Sequence, residues 1–426
     1  MKRNRMFMLA LVALVLLPGL LFAMPSAEEK GGKEMRLAWW GNPTRDERTL
    51  KAADMFMAKY PEVKIESETT GWAGYWDKLN TQAAAGSLPD LIQHDYAYML
   101  QWVTRNQLAD LTPYIKDGTI DLSKVNDSFL TGGMVDGKLY GISLGTNAVC
   151  LTYDPAVLAK AGIAKPDTAT WTWDDFERIA IEVYRKTGVQ TIPFFTTDPR
   201  VGFEHLIRQQ GDVLFGTTGL GFTDVSALRE FYAIQLRLQD AGALIKPEVA
   251  FVSVSPEEGE FAKGRSWVEF IWSNQFVATQ NAAGRPLELG LMPILKGAKA
   301  KGTYLKPSMF FSIPAKAANP KDAARFLNYF LNDIEVNDML MGERGVPIPD
   351  DVRNHMATKV DAINKQIFDF ISLASTNSGP IDPPDPPASG EFLKMVRDVT
   401  QEILLKRISL DAGVAKIMNE GNNILK

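Results

Sequence analysis

From Met35 onward the chain repeats one pattern, a short apolar run followed by a longer segment with helical spacing. Met35-Arg36-Leu37-Ala38-Trp39-Trp40-Gly41 precedes a helical pattern over about 46–59, and residues 63–67 precede one over about 75–85. A third strand is expected at Leu91-Ile92-Gln93. Strands separated by helices cannot pair through tight hairpins, so the pattern predicts an α/β fold of mainly parallel sheets flanked by helices. Ligands in such folds bind beyond the carboxyl ends of the strands, which here are the loops at 40–45, 70–75 and 94–98.

The start of the chain has a different logic. Lys2, Arg3 and Arg5 precede an apolar run from Met6 to Phe22 broken only by Pro18 and Gly19, and the small Ala23 follows. This is the layout of a secretory signal peptide, with cleavage expected after Ala23; an uncleaved anchor helix is the alternative, since the run just reaches membrane-spanning length. Residues 24–34 read as a flexible leader. A lipid anchor would need a cysteine directly after the apolar run, and the only cysteine is Cys150, so the chain has no internal disulfide. Cys150 lies in the apolar run Ala148-Val149-Cys150-Leu151 and is expected to be buried and inert. Removing residues 1–23 with their three cations takes the net charge from −5 to −8, which argues against a nucleic-acid partner.

Further along, residues 139–144 and 149–153 read as two extended runs joined through Gly145-Thr146-Asn147. Asp154-Pro155-Ala156 and Thr172-Trp173-Asp174-Asp175 look like capped helix starts. Helices dominate from there to about Ala283, a strand returns at 287–293, and another capped helix begins near Asn319. The proline-rich stretch 378–387 reads as a rigid surface loop before two last helices at 392–405 and 410–424.

Three histidines, His94, His205 and His355, show no metal-ligand spacing, and no phosphate-binding glycine loop or nucleophile elbow occurs. No catalytic residue, metal or cofactor is therefore expected. What stands out is aromatic: nine tryptophans, several beside amides and acids in expected loops, as in Trp39-Trp40-Gly41-Asn42, Gly71-Trp72-Ala73-Gly74-Tyr75-Trp76, His94-Asp95-Tyr96 and Trp272-Ser273-Asn274. A pyranose has C–H faces that pack flat on an indole and hydroxyls that need donors and acceptors, and a carboxylate can accept from two hydroxyls at once. The competing reading for each tryptophan is the core, and for Asp95 a helix cap or salt bridge.

These residues resemble a family, the extracellular sugar-binding proteins of ATP-driven importers, which are maltose-binding-protein-like. The resemblance spans residues 35–426 and rests on the order of weak landmarks: Leu37-Ala38-Trp39-Trp40-Gly41, Tyr60-Pro61-Glu62-Val63, Leu88-Pro89-Asp90-Leu91, Val135-Asp136-Gly137-Lys138-Leu139-Tyr140-Gly141, Leu151-Thr152-Tyr153-Asp154, Thr172-Trp173-Asp174-Asp175-Phe176 and Pro320-Lys321-Asp322-Ala323-Ala324. It implies a two-lobed periplasmic-binding-protein fold with a three-segment hinge that closes on ligand. Crossings are expected near 146–148, 288–291 and 331–336. Lobe 1 would comprise 35–146 and 291–333, and lobe 2 would comprise 147–290 and 334–426. The ligand-binding set is expected to include Trp40, Asn42, Arg45, Trp72, Tyr75, Asp95, Asn147, Asp198, Arg200, Trp272, Asn274 and Phe310. Where maltose-binding members carry a glutamate in the first crossing, this chain has Asn147, so maltose specificity does not transfer.

The expected function is capture of a mono- or oligosaccharide by a monomer outside the cytoplasm and its delivery to the permease subunits of an ABC importer, without nucleic acid. Two alternatives compete: a secreted carbohydrate hydrolase using two carboxylates such as Asp95 and Asp198, or the same fold with a peptide, polyamine or glycerophosphodiester as cargo. Arg45, Lys78 and Arg200 could serve an anionic cargo, including a uronic acid.

Overall fold

The computed structural model describes residues 33–41, 43–196, 198–252 and 259–426. The expected signal peptide and all but the end of the leader lie outside the described residues. Among the described residues there are nine strands: β1 (Lys33–Trp40), β2 (Val63–Thr70), β3 (Leu91–His94), β4 (Met134–Val135), β5 (Lys138–Leu139), β6 (Ile142–Tyr153), β7 (Val268–Trp272), β8 (Glu288–Gly290) and β9 (Leu305–Ser312). β2, β1 and β3 pair in parallel, joined by the helices Pro43–Lys59 and Trp72–Ala85, as strand–helix alternation requires. β9 then adds antiparallel to β3, and β6 antiparallel to β9, so the sheet is mixed.

β6 organises the molecule. Its first half pairs with β9 from Ile142↔Phe311 to Ala148↔Leu305, and its second half pairs with β7 from Val149↔Trp272 to Tyr153↔Val268 and with β8. The two extended runs expected on either side of Gly145-Thr146-Asn147 are thus one strand shared by two sheets. The register slips at Gly145, where an added Cβ would run into the Arg344 carbonyl, so only glycine fits. Beyond β7 the second sheet is continued by isolated parallel bridges, Gln190↔Ser266 and Thr191↔Leu244.

Each sheet has its own core. The first gathers Leu37, Trp39, Phe56, Phe310, Phe311, Phe326 and Phe330. The second gathers Leu151, Phe176, Phe194, Phe231, Trp267 and Phe270. Thr172 caps the helix Trp173–Thr187 through a reciprocal box with Asp175, as expected. The last two helices, Ser389–Leu404 and Leu410–Ile424, join the second core through Phe392, Val396 and Ile417.

One expected boundary moves. Residues 334–374 were expected in lobe 2, yet Val336, Leu340, Ile348, Val352, Ile371 and Ala374 fill the first core, because the helix Ile334–Leu340 packs on the helix Pro43–Lys59. The chain therefore does not leave the first core near 331–336. The helix Ala362–Thr376 bridges the lobes, since it lends Ile371 and Ala374 to the first core and also packs on β8 and the helix Phe276–Ala283, and the proline-rich stretch follows it. The middle crossing lies between β8 and β9, later than the expected 288–291. The stretch 378–387, expected as a loop over the surface, is the third connection between the lobes.

Candidate functional site

The proline-rich connection is a strap with two acids, Asp382 and Asp385, each followed by two prolines. Proline favours an extended helix of three residues per turn, which returns residues three apart to the same side. Both acids face the helix Pro199–Gln210, where Arg200, Glu204 and Arg208 recur at every fourth position on one stripe. Arg200 pairs with Asp385, and Arg208 pairs with Asp382 and also donates to the Pro380 carbonyl. On the other side the strap is held by the first lobe: the Tyr96 hydroxyl donates to the Asp382 carbonyl, and the Ile381 N–H to Thr131 Oγ1 at 3.4 Å. The strap thus touches both lobes at once.

Beside it lies an aromatic pair. Trp272, at the carboxyl end of β7, meets Tyr304 edge-on with ring centroids 6.1 Å apart. The Arg208 guanidinium covers the Tyr304 ring at 4.8 Å, and the Lys306 ammonium covers Trp272 at 5.1 Å. Asp95 lies within the field of Lys306 while its Oδ1 accepts from the Ala97 N–H at 2.9 Å, so it is also the helix cap that sequence offered as its alternative role. Burial raises the Asp95 carboxyl above its ordinary value, against the pull of Lys306.

Electrostatically the site is strained. Asp198, just before Pro199, pairs with Arg200 at 3.4 Å, yet burial holds its carboxyl above the usual range. Glu204, fully enclosed between the two arginines, is pushed up to about 7, chiefly by burial, with Asp382 and Asp385 adding to the rise and Arg200 and Arg208 opposing it. Three buried polar atoms here have no hydrogen-bond partner among the described residues: Asp198 Oδ1, Asp382 Oδ2 and Arg200 Nε. Buried polar atoms are nearly always paired, so these two acceptors and one donor between the lobes are open to hydrogen bonds from water or from a polar guest.

Of the residues singled out from sequence, Asp95, Asp198, Arg200 and Trp272 are brought to this region. Trp40 and Tyr75 are core residues of the first lobe, packed edge-on at 5.3 Å, and the Tyr75 hydroxyl donates to the Gln93 carbonyl at 2.6 Å. Phe310 is fully buried in β9. Arg45 is bound to Glu343 at 2.9 Å within the first lobe. Asn147 lies in β6 opposite Lys306, which places it near the site, and Asn274 is exposed at a short helical turn after Trp272. Asn42 lies outside the described residues, and Trp72 begins a helix. Tyr96 appeared only inside the His94-Asp95-Tyr96 cluster and not in the binding set, and sequence missed Arg208, Tyr304, Lys306, Asp382 and Asp385. A signal existed in the repeated Asp-Pro-Pro at 382–387, which sets two acids three residues apart.

His94 and His205 are buried and held down to about 3, mainly by burial, so both are neutral structural groups. Among the described residues no cluster of histidine, cysteine or acidic side chains could hold a metal, and no helix is long and apolar enough to cross a membrane.

A family model described as bacterial extracellular solute-binding protein matches residues 51–366, most of the chain. This chain belongs to the bacterial extracellular solute-binding proteins. The family places the working protein outside the cytoplasm. An arabinooligosaccharide-binding protein of Bacillus subtilis (strain 168) is 29% identical over 216 residues, 49% of this chain and 48% of that protein, so the match spans about half of the relative. A solved family 1 extracellular solute-binding protein from Alicyclobacillus acidocaldarius superposes with a TM-score of 0.85 at 29% identity, covering 92% of this chain and 98% of that one. An oligogalacturonide-binding protein from Yersinia enterocolitica superposes with a TM-score of 0.76 at 22% identity, covering 92% and 98%, and shows the fold alone. The solute-binding proteins thus share this chain's two-lobed α/β architecture.

Proposed function

We propose that this solute-binding protein captures a carbohydrate between its lobes, closes on it by bending at the three connections, and delivers it unaltered to a membrane importer. The observation that carries the reading is the set of unpartnered polar atoms, Asp198 Oδ1, Asp382 Oδ2 and Arg200 Nε, in the same network as the Trp272–Tyr304 pair. Sugar hydroxyls would satisfy the former, and a pyranose or furanose face would cover the latter. The arabinooligosaccharide-binding relative supports the same class of cargo. Closure follows from the geometry, since a ligand that bridges residues of both lobes binds the closed form better and shifts the population toward it. The lobes meet in β6, and we place the hinge at its register slip at Gly145, between β8 and β9, and at the strap. Export by the amino-terminal signal fits the family's compartment.

Calorimetry with arabino-, gluco- and galacto-oligosaccharides, paired with small-angle scattering, tests the reading. A saturable sugar that shrinks the radius of gyration is expected. Trp272→Ala should weaken its binding by about 1–3 kcal/mol, the worth of a large apolar contact surface. Chromatography should recover the sugar intact. No heat with any sugar, or wild-type affinity in both Trp272→Ala and Asp198→Asn, would remove the proposed site.

A further inference from the structure

The three cations that sequence offers for an anionic cargo are all engaged. Arg45 is paired with Glu343 at 2.9 Å, Lys78 with Glu68 at 2.8 Å, and Arg200 with both Asp198 and Asp385. Arg208, which sequence did not single out, spends its donors on the Gly302 carbonyl, Asp382 and the Pro380 carbonyl. Lys306 lies over Trp272 in the field of Asp95. In the interlobe region Asp95, Asp198, Asp382 and Asp385 stand against Arg200, Arg208 and Lys306, so acid exceeds base before Glu204 is counted. The unspent atoms repeat this bias, with two carboxylate oxygens against one guanidinium N–H.

We propose that the site takes an uncharged glycan and rejects uronic acids, and that the strap acids Asp382 and Asp385 set this preference by occupying the guanidinium groups a sugar carboxylate would need. The inference rests on the carbohydrate reading above. Its physical basis is that specificity is a difference of affinities, and a pre-placed like charge is the cheapest way to exclude an acidic analogue. A neutral hydroxyl can donate to Asp198 Oδ1 or Asp382 Oδ2. A carboxylate in the same position meets two carboxylates and must break an existing ion pair to reach an arginine. Asp385 is half exposed, so its exchange leaves the buried Arg208–Asp382 pair intact.

Calorimetry at pH 7 with uncharged trisaccharides (arabinotriose, galactotriose, maltotriose) and trigalacturonate distinguishes the outcomes. At least one uncharged trisaccharide should bind with an affinity that changes less than about twofold between low and roughly 0.3 M salt, because no net charge is brought together. Trigalacturonate should bind at least about tenfold more weakly than that sugar. In Asp385→Asn the ratio of trigalacturonate to uncharged affinity should rise by roughly threefold to tenfold, and that gain should fade with salt. Trigalacturonate binding to wild type as tightly as the uncharged sugar overturns this inference and leaves the carbohydrate reading standing, as does an unchanged ratio in the variant. Failure of both classes to bind overturns the carbohydrate reading and this inference with it.

Discussion

Glu204 offers a prediction whose size follows from the structure and does not depend on the identity of the cargo. Its carboxyl is fully enclosed among Arg200, Arg208, Asp382, Asp385 and Tyr304, and is pushed from 4.5 to about 7. That gap corresponds to about 3 kcal/mol. Between the two values the folded protein keeps a proton that the unfolded chain has already released. Stability therefore falls as pH rises through 4.5 to 7, and above about 7 the loss is complete and constant. Glu204→Gln keeps the shape of the protonated acid and removes the titration. Urea unfolding of wild type and variant at several values between pH 4.5 and 8 should show the two nearly equal at the acid end. The variant should become more stable by about 3 kcal/mol above pH 7. Titrating groups outside this network, including Glu269, which burial also pushes up to about 7, cancel in the difference. A difference between the two proteins that stays flat across the range would refute the claim that Glu204 is held protonated by its enclosure.

Two further predictions concern packing. Gly202 lies on the helix Pro199–Gln210 where an added Cβ would press into the Phe231 ring and meet Phe195 at 3.0 Å; Gly202→Ala should destabilise by about 1–3 kcal/mol, read from the urea midpoint, and an unchanged midpoint would contradict it. Cys150 is buried in β6 with its thiol donating to the Ile271 carbonyl at 3.4 Å, and burial pushes its pKa up. A thiol reagent should leave the native protein unlabelled and label it once in strong urea; rapid native labelling would show the strand to open.

The strand–helix alternation of the first hundred residues was legible because those elements are local, each declared by its own periodicity and caps. Of the connections between lobes only the first, near 146–148, was placed where β6 passes from β9 to β7, and even there the strand itself was not seen. Gly145-Thr146-Asn147 has the composition of a turn, and only the pairing with Met309, Pro307 and Lys306, distant in sequence, keeps it in a strand. Residues 334–374 read as ordinary amphipathic helices, and nothing in such a stripe says which of two cores it will cover. The site divided along the same line. Trp272 was recognised as an aromatic beside polar residues in an expected loop, whereas Asp198 came from the family resemblance. Trp40, Tyr75 and Phe310 are aromatic as well but turn inward, since a bulky ring fills a core as well as it stacks on a sugar. Tyr304 and Lys306 carry no local mark of function. They reach the site because β9 comes back from the far side of the chain.

That return has a consequence for how the protein can fold. β9 is the strand between β3 and β6, and Ile92, which pairs with Ala38 on one side, finds its second partner only at Ser312. Until Ser312 has been made, the first 150 residues own two open strand edges and a core without Phe310, Phe311, Phe326 or Phe330. Long-range closure of this kind is slow, because the entropy of a large loop is lost before any contact repays it. A nascent amino-terminal half therefore lacks the strand that joins β3 to β6 and much of the aromatic core. The first lobe can be completed only where β9 emerges, so its folding waits until most of the chain has been made.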